Sequence, residues 1–413
     1  MLNLIFLINI VIIFIIFILI INNIKCKINK VETNMIKQVI SLEENKHFIP
    51  FVLMKYYSHI INIKSELTPY LITTSYWYDT MEYIKEKVLK VNNVLIIQIL
   101  KKLGLLLSIV LYGSILLFWF KYKRNVLGYQ ELVNIGSDNS IWNLNISLGL
   151  DGLSLPFMAL TGFIFPIVYI SNWSTIDKFN IYYIILIISI ELFLIIVFLV
   201  IDFIMFYVFF ESILPPLFVL IGLYGAAQKF RAGYYFFLYT LIGSLFMLLT
   251  FVKMGGDLAS SFFESYGNHN VFTTLQIIIW IILFFSLSVK TPLVPVHIWL
   301  PLAHSDANVS GSIILASVVL KLALYGFIRI LIGIFFLGTI KLTPFFLGFC
   351  SMSVLYSSFT TTRQFDLKVL VAYSSIAHMA SSLLGTFSDT LYGLIGSIIF
   401  GLAHGLSRWR RNI

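Results

Sequence analysis

The stretch "SVKTPLVPVHIWLP", Ser288 to Pro301, places a lysine, three prolines and a histidine in a chain otherwise rich in Ile, Leu and Phe. Proline has no backbone N–H and interrupts a helix. Interrupted helices are tolerated at membrane depth where they line a cavity or pack against neighbouring helices. The stretch therefore predicts a broken membrane helix with Lys290 at the break, next to Pro292 and Pro295.

The composition of the whole chain indicates the environment of this helix. Of 413 residues, 59% are hydrophobic and only 11% are charged, whereas soluble domains carry roughly 25% charged residues. Apolar runs long enough to cross a bilayer recur along the chain. The composition predicts an all-α, polytopic membrane protein and excludes an ordinary globular enzyme.

The apolar runs predict about eleven membrane spans. They lie near 3–22, 102–120, 153–171, 181–200, 202–223, 234–253, 274–290, 312–334, 344–360, 369–386 and 389–405. The polar, Lys-rich stretch from Asn22 to Lys101 gives no clear assignment. We therefore divide the chain into an N-terminal helix with a Lys-rich extension (1–101), a transmembrane core (102–406) and a basic tail (407–413).

The net charge of +9 is concentrated in a few loops. "NWSTIDKF", "AAQKFRAG", "TTRQFDLK" and "SRWRRNI" follow the third, fifth, ninth and eleventh predicted spans, whereas "KYKR" after the second breaks the pattern. Basic loops of membrane proteins collect on the cytoplasmic side or its equivalent. The charge is thus explained without a nucleic-acid partner, and the shared parity supports the number of spans.

Four ionisable residues lie inside or at the end of apolar runs: Glu211, Lys290, Lys321 and His404. Such a group near the bilayer centre costs at least ~2.5 kcal/mol, and it usually faces the protein interior and marks a pathway. The alternatives are that a charged side chain extends to the interface and that His404 is a neutral packing residue. Glu211 and Lys321 have long apolar runs on both sides, which disfavours the first alternative.

Glu211 and Lys290 have opposite charges on different predicted helices. Burial disfavours the charged form of each group alone, and pairing favours it. The pair is therefore predicted to be a two-state proton element, in which separation lets the lysine release a proton. Pro215 and Pro216, one turn after Glu211, are expected to loosen their helix as well.

His297 follows the proline break and can exchange protons near neutral pH. The alternative is that the prolines simply end the helix and that His297 lies in a loop. A polar patch in the tenth predicted span comprises Tyr373, Ser374, Ser375 and His378. We expect His378 to link Lys321 to His404.

The remaining charged residues give weaker signals. Glu191 and Asp202 are spaced to share a helix face, but Asp202 is better explained as a helix boundary. Arg329 is expected to anchor its helix at the interface. Cys26 and Cys350 are too few for a disulfide framework or a Cys-rich metal site. The chain has no Walker loop, Gly-rich dinucleotide turn or HExxH motif, so we expect no cofactor and no metal in this chain.

Five long stretches resemble one known family. They are "LGLDGLSLPFMALTGFIFP", "FYVFFESILPPLFVLIGLYG", "YYFFLYTLIGSLFMLL", "VKTPLVPVHIWLPLAHSDANVSGSIILASVVLKLALYGFIRIL" and "LKVLVAYSSIAHM". In register from about Leu148 to Leu406, they are similar to the chain 4 family of mitochondrial NADH:ubiquinone oxidoreductase (complex I), an antiporter-like group of subunits. "YYFFLYTLIGSLFMLL" separates this family from the other antiporter-like subunits better than "HIWLP" does.

The resemblance implies a subunit that translocates protons, driven by NADH oxidation and quinone reduction in other subunits. Glu211 matches the family's glutamate of the fifth helix, Lys290 the lysine before the break of the seventh helix, and Lys321 the central lysine of the eighth. The histidines of the family's hydrated axis match three residues of this chain: His297, His378 and His404.

The resemblance also implies the surroundings of the chain. NADH, flavin, iron–sulfur clusters and quinone would bind to other subunits, the partners would be the other membrane-arm subunits, and the location would be the mitochondrial inner membrane. Two alternatives remain: a cation/proton antiporter subunit and a structural membrane-arm subunit that does not pump.

The sequence departs from the family at four places. The N-terminal stretch to about Lys101 is longer than in the family and unlike its usual pattern. In the loop after "HIWLP", Leu302 stands where the family usually has a carboxylate or amide, and Asn308 where it usually has a proline. After "GLAHGLS" the family continues with further helices, whereas here "RWRRNI" follows. A separate chain that carries those helices, or an incomplete or mis-spliced reading frame, would explain this difference.

Overall fold

A computed structural model describes residues 99–126, 128–135, 146–173, 180–258, 263 and 273–412. From Lys101 onward these residues belong to one compact unit. The predicted span at 3–22, the Lys-rich stretch up to residue 98 and most of the "NWSTIDKF" loop lie outside the described residues.

The described chain is almost entirely helical, and each predicted span after the first overlaps a helix. The helices are α1 (Ile99–Lys121), α2 (Ser154–Ser171), α3 (Asn180–Leu199), α4 (Phe203–Ser212), α5 (Leu214–Tyr224), α6 (Lys229–Leu258), α7 (Thr273–Lys290), α8 (Trp299–Asp306), α9 (Val309–Ile332), α10 (Phe336–Thr361), α11 (Leu367–Thr386) and α12 (Leu391–Asn412).

In the described part, eight segments are long and apolar enough to cross a membrane, namely seven single helices and α4 together with α5. α7 is a shorter apolar helix. α6 and α10 present large apolar side chains outward, including Leu249 and Phe359, which are 67% and 71% exposed. Such surfaces suit lipid or a neighbouring subunit rather than water. The predicted polytopic, all-α membrane architecture is confirmed.

A two-stranded sheet is an addition that the sequence analysis did not predict. β1 (Gln130–Ile135) pairs antiparallel with β2 (Ile146–Leu150). Leu148 also bridges to Val200, which lies directly after α3. A two-stranded hairpin is marginal by itself, so contacts with the helices supply the stability that the local sequence does not indicate.

The fifth predicted span is broken after Glu211. α4 ends at Ser212, and α5 begins two residues later with Pro215 and Pro216 in its first turn. Proline is tolerated there because the first helical N–H groups have no partner within the helix. The predicted loosening by these two prolines is confirmed.

The seventh predicted span is discontinuous, as the opening stretch predicts. α7 ends at Lys290, the chain passes through successive turns, and α8 restarts at Trp299. Trp299 Nε1 donates to the carbonyl oxygen of Val289 at 2.8 Å. At the break, Ser353 Oγ accepts from the backbone N–H of Val294 at 3.2 Å. Side chains thus replace backbone hydrogen bonds that the break removes.

α9 is the central helix and is almost entirely buried. It packs against α2 and α12. Two π-helical segments, Leu315–Val319 and Phe327–Ile332, flank the α-helical turns that carry Lys321. π-helical turns often occur at functional sites. The sequence analysis did not predict them, because hydrophobic periodicity does not distinguish one wider turn within a helix.

Candidate functional site

Lys290 lies at the end of α7 with its amine against α4. Its Nζ donates to the carbonyl oxygen of Phe210 at 3.0 Å and lies 3.2 Å from the centroid of the Phe210 ring. The side chain is 2% exposed. A carbonyl dipole and an aromatic face both stabilise a buried cation. Lys290 is therefore a buried residue that contacts α4, and extension to the interface is excluded.

Glu211 directly follows the residue that binds Lys290. Its carboxylate attracts Lys290 and lies near Ser244 on α6. Among the described residues, Glu211 Oε1 has no hydrogen-bond partner, and no ion pair joins Glu211 directly to Lys290. The predicted pair is thus close in space, with the Phe210 carbonyl as the group that Lys290 touches.

Lys321 is fully buried in α9. Its Nζ lies 2.6 Å from the carbonyl oxygen of Ala316 and 2.8 Å from His404 Nδ1. Ala316 belongs to the first π-helical segment, whose wider turn shifts the backbone hydrogen bonds by one residue. Lys321 has no carboxylate in an ion pair within the described part of the chain.

His404 uses both ring nitrogens in buried contacts. Arg408 Nε lies 2.9 Å from His404 Nε2. The Arg408 guanidinium also donates to the carbonyl oxygen of Val371 at 3.0 Å and to Ser374 Oγ at 2.9 Å. His404 therefore links Lys321 on α9 to Arg408, which in turn binds α11. Its hydrogen bonds show that it does more than fill space between helices.

The position of Arg408 corrects the sequence interpretation of the last residues. Residues 407–413 were predicted as a basic tail that follows the last span, but α12 continues through Asn412. Arg408 is only 1% exposed. It lies one turn after His404 on the same helix, where residues four apart face the same side. Helical periodicity carried one turn further would have predicted this contact.

His378 does not link Lys321 to His404, which corrects a second prediction. Lys321 contacts His404 directly. The His378 ring lies 5.5 Å from the His404 ring and 5.6 Å from the Phe400 ring, and the side chain is exposed. His378 is a neighbour of the buried chain rather than a member of it. Only the packing of α11 on α12 decides this order.

His297 lies in the break between α7 and α8. Its side chain is buried, and its ring lies 5.3 Å from the Tyr356 ring and 6.1 Å from the Tyr373 ring. The structure therefore brings His297 together with one end of the polar patch on α11. Ser374 of the same patch contacts Arg408.

His304 is a site residue that the sequence analysis missed. It lies in α8, is 3% exposed, and interacts electrostatically with Arg408, Lys368 and Lys321. Its Nε2 has no hydrogen-bond partner among the described residues. A lone histidine after "HIWLP" gave little reason to expect it, because that segment was treated as a loop.

Other charged residues have structural roles. Arg329 pairs with Asp151, and its guanidinium also donates to Tyr325 Oη at 3.1 Å. Asp202 accepts from Ser147 Oγ and immediately precedes α4, which confirms its place at a helix boundary. Glu191 is fully buried in α3.

The described side chains contain no group of three or more His, Cys, Asp or Glu that is arranged to hold a metal ion. The site consists of two clusters. The Glu211 cluster contains Glu211, Lys290 and Phe210, and the Lys321 cluster contains Lys321, His404, Arg408 and His304. Buried amines and imidazoles in contact can hold and exchange protons.

Two family profiles match the chain. The profile described as NADH:quinone oxidoreductase/Mrp antiporter, TM, matches residues 200–410. The profile described as NADH-ubiquinone oxidoreductase chain 4, amino terminus, matches residues 91–197. Together they cover the helices that carry both clusters.

Curated relatives agree with these profiles. NADH-ubiquinone oxidoreductase chain 4 of Mycosarcoma maydis is 40% identical over 308 residues, which are 74% of this chain and 63% of the relative. That of Yarrowia lipolytica is 41% identical over 305 residues, which are 73% of this chain and 62% of the relative. The chain thus matches somewhat less than two thirds of the length of these relatives.

Solved structures share the fold. A chain of respiratory complex I from Thermus thermophilus with bound NADH superposes with a TM-score of 0.66 at 26% identity, covering 77% of this chain and 69% of that chain. A chain of the Mrp complex from Dietzia sp. gives a TM-score of 0.67 at 16% identity, covering 76% and 58%. The second likeness concerns the fold alone.

Proposed function

The chain belongs to the NADH:quinone oxidoreductase/Mrp antiporter membrane family, and its residues 91–197 match the amino terminus of chain 4. We therefore propose that it is a proton-translocating subunit of the membrane arm of NADH:ubiquinone oxidoreductase. NADH oxidation and quinone reduction take place in other subunits, which hold the flavin, the iron–sulfur clusters and the quinone. The location is the mitochondrial inner membrane, as the curated chain 4 relatives suggest.

One observation carries the proposal: Lys321 is fully buried and hydrogen-bonded to His404. An uncompensated lysine in an apolar interior is costly when charged. It therefore exchanges its proton more easily than an exposed lysine does. A purely structural role would be met better by an apolar side chain of similar volume.

The Glu211 cluster would act as the controlling element. While Glu211 is charged, it stabilises the Lys290 ammonium, which also rests on the Phe210 carbonyl and ring. When Glu211 takes up a proton, Lys290 loses its counter-charge and is favoured as the neutral amine. The electrostatic change reaches Lys321 across the contact between α7 and α9, since charges interact strongly in a low-dielectric interior.

The Lys321 cluster would then carry the proton onward. Lys321, His404 and the neighbouring His378 and His304 provide titratable nitrogens on four helices, and Arg408 adds a fixed charge. His297 would supply a further exchangeable nitrogen at the helix break. These residues hold and pass protons, and no redox step is assigned to this chain.

The test uses the assembled complex in sealed vesicles. Lys321→Met should abolish most NADH-driven acidification while the complex still assembles. The matched control is Lys341→Met, because Lys341 is an exposed lysine on α10. Unchanged acidification in the Lys321 variant would contradict the proposal and favour a structural subunit. Uptake of radioactive sodium that requires Lys321 would favour an antiporter subunit.

A further inference from the structure

A chain of buried nitrogen atoms runs from Arg408 through His404 to Lys321. Arg408 Nε lies 2.9 Å from His404 Nε2, and Lys321 Nζ lies 2.8 Å from His404 Nδ1. The three side chains are 1%, 5% and 0% exposed. Both nitrogens of one imidazole are therefore engaged inside the protein, with a basic side chain on each side.

The donor and acceptor roles in this chain follow from Arg408. A guanidinium only donates hydrogen bonds and stays protonated. His404 Nε2 must therefore accept, and a neutral imidazole with a lone pair on Nε2 has its proton on Nδ1. The Nδ1–H then points at Lys321 Nζ, and only an uncharged amine has a lone pair to accept it.

We propose that Arg408 is a positioning residue that fixes the His404 tautomer with its proton on Nδ1 and thereby holds Lys321 as the neutral amine. This inference concerns how the proton step of the proposed function is controlled. It rests on that function for its consequence, whereas the tautomer itself is a property of the folded protein.

The hydrogen bonds of Lys321 fit a neutral amine. Such an amine has two N–H groups and one lone pair. The carbonyl oxygen of Ala316, at 2.6 Å, accepts one N–H, and the Nδ1–H of His404 fills the lone pair. An ammonium would direct three donors at the same surroundings and would leave a donor facing the Nδ1–H.

The charges around Lys321 also favour its neutral amine. Arg408 on α12 is the fixed positive charge that acts on Lys321, and Lys368 on α11 acts on the neighbouring His304. His304 and His378 add imidazoles to the same region. The described residues contribute no carboxylate in an ion pair to Lys321. Additional positive charge at Lys321 would therefore be opposed by Arg408.

The hydrogen bond from Arg408 to His404 determines what proton uptake at Lys321 requires. Binding a proton converts the amine into an ammonium, which must donate to His404 Nδ1. The His404 proton then moves from Nδ1 to Nε2, so the proton count of the imidazole is unchanged. Arg408 must leave Nε2 at that moment, and it retains Val371 and Ser374 as acceptors. Proton uptake is thus coupled to release of the Arg408–His404 hydrogen bond.

The experiment is infrared spectroscopy of the assembled complex with isotope-labelled histidine. The His404 signal is isolated by subtracting the His404→Gln spectrum. The ring-stretching band of native protein should have the position of the Nδ1–H tautomer. In Arg408→Met, which has no donor for Nε2, the band should shift to the Nε2–H position, and Arg408→Lys, which keeps a cationic donor, should retain the native position.

Arg363→Gln is the matched control, because Arg363 is exposed in the loop between α10 and α11; its band should not move. A native band at the Nε2–H position would overturn the proposal, as would an unshifted band in Arg408→Met. The native spectrum decides the matter even if Arg408→Met fails to assemble. The band needs no turnover, so a complex that does not pump but shows Nδ1–H refutes only the proposed function.

Discussion

Lys290 Nζ lies 3.0 Å from the carbonyl oxygen of Phe210 rather than in a direct ion pair with the adjacent Glu211 carboxylate. The lysine is thus held by the residue next to its counter-charge. Because the charges of Lys290 and Glu211 still attract each other, a change at either one is felt by the other without a rearrangement of the backbone.

Glu211→Gln and Lys290→Met should therefore be non-additive. Each change alone leaves the other buried group without its opposite charge, whereas the double variant removes both. We expect a coupling of about 0.5–3 kcal/mol in the double-mutant cycle, the range for residues in contact. The measurement is the rate of NADH-driven acidification. Strictly additive losses would show that the two groups act independently.

Phe210→Leu tests the aromatic contact, since it removes the ring and keeps the carbonyl. Loss of a desolvated cation–π contact costs roughly 0.5–2 kcal/mol. Because the Lys290 ammonium then loses part of its stabilisation, we expect fewer protons to be translocated for each NADH oxidised. Phe206→Leu is the control, because Phe206 is equally buried on α4 but does not contact Lys290. An equal loss in both variants would assign the effect to packing.

His404→Gln should impair acidification far more than His378→Gln. His404 is 5% exposed and contacts Lys321 directly, whereas His378 is exposed and lies beside it. The loss of a group that transfers a proton typically costs about 10²–10⁴-fold in rate. Acidification is measured for both variants in vesicles of equal complex content. A reversed order would make His378, and not His404, the main proton carrier beside Lys321.

Asp151→Asn should lower the thermal stability of the chain without a specific effect on proton transfer. It breaks the pair with Arg329, whose side chain is 16% exposed. A hydrogen bond between charged partners contributes about 1.5–3 kcal/mol. The midpoint of thermal unfolding should fall in Asp151→Asn and in Arg329→Gln, and the double variant should fall less than their sum. An unchanged midpoint in both single variants would contradict a stabilising role.

The fold could be predicted largely from local sequence properties. Apolar runs predict membrane helices because unpaired backbone groups are too costly in lipid. The breaks near Glu211 and Lys290 were predictable because proline cannot donate a backbone hydrogen bond. The hairpin and the π-helical turns were missed, because tertiary contacts stabilise them.

The candidate residues Glu211, Lys290, Lys321 and His404 were also recognisable in the sequence, since an ionisable group in an apolar run is costly unless it has a role. Their partners were not. These partners depend on how separate helices pack. Examples are the contact of Lys290 with Phe210, the direct approach of Lys321 to His404 and the burial of His304.

The sequence by itself thus determined that this chain forms membrane helices, where two of them break and which ionisable residues lie inside them. These properties depend on the transfer of short segments from water to lipid and on proline geometry. Only the tertiary structure decided which groups touch. It excluded His378 from the link and brought Arg408 to His404, because hydrogen bonds between helices need distances and directions that one-dimensional spacing does not contain.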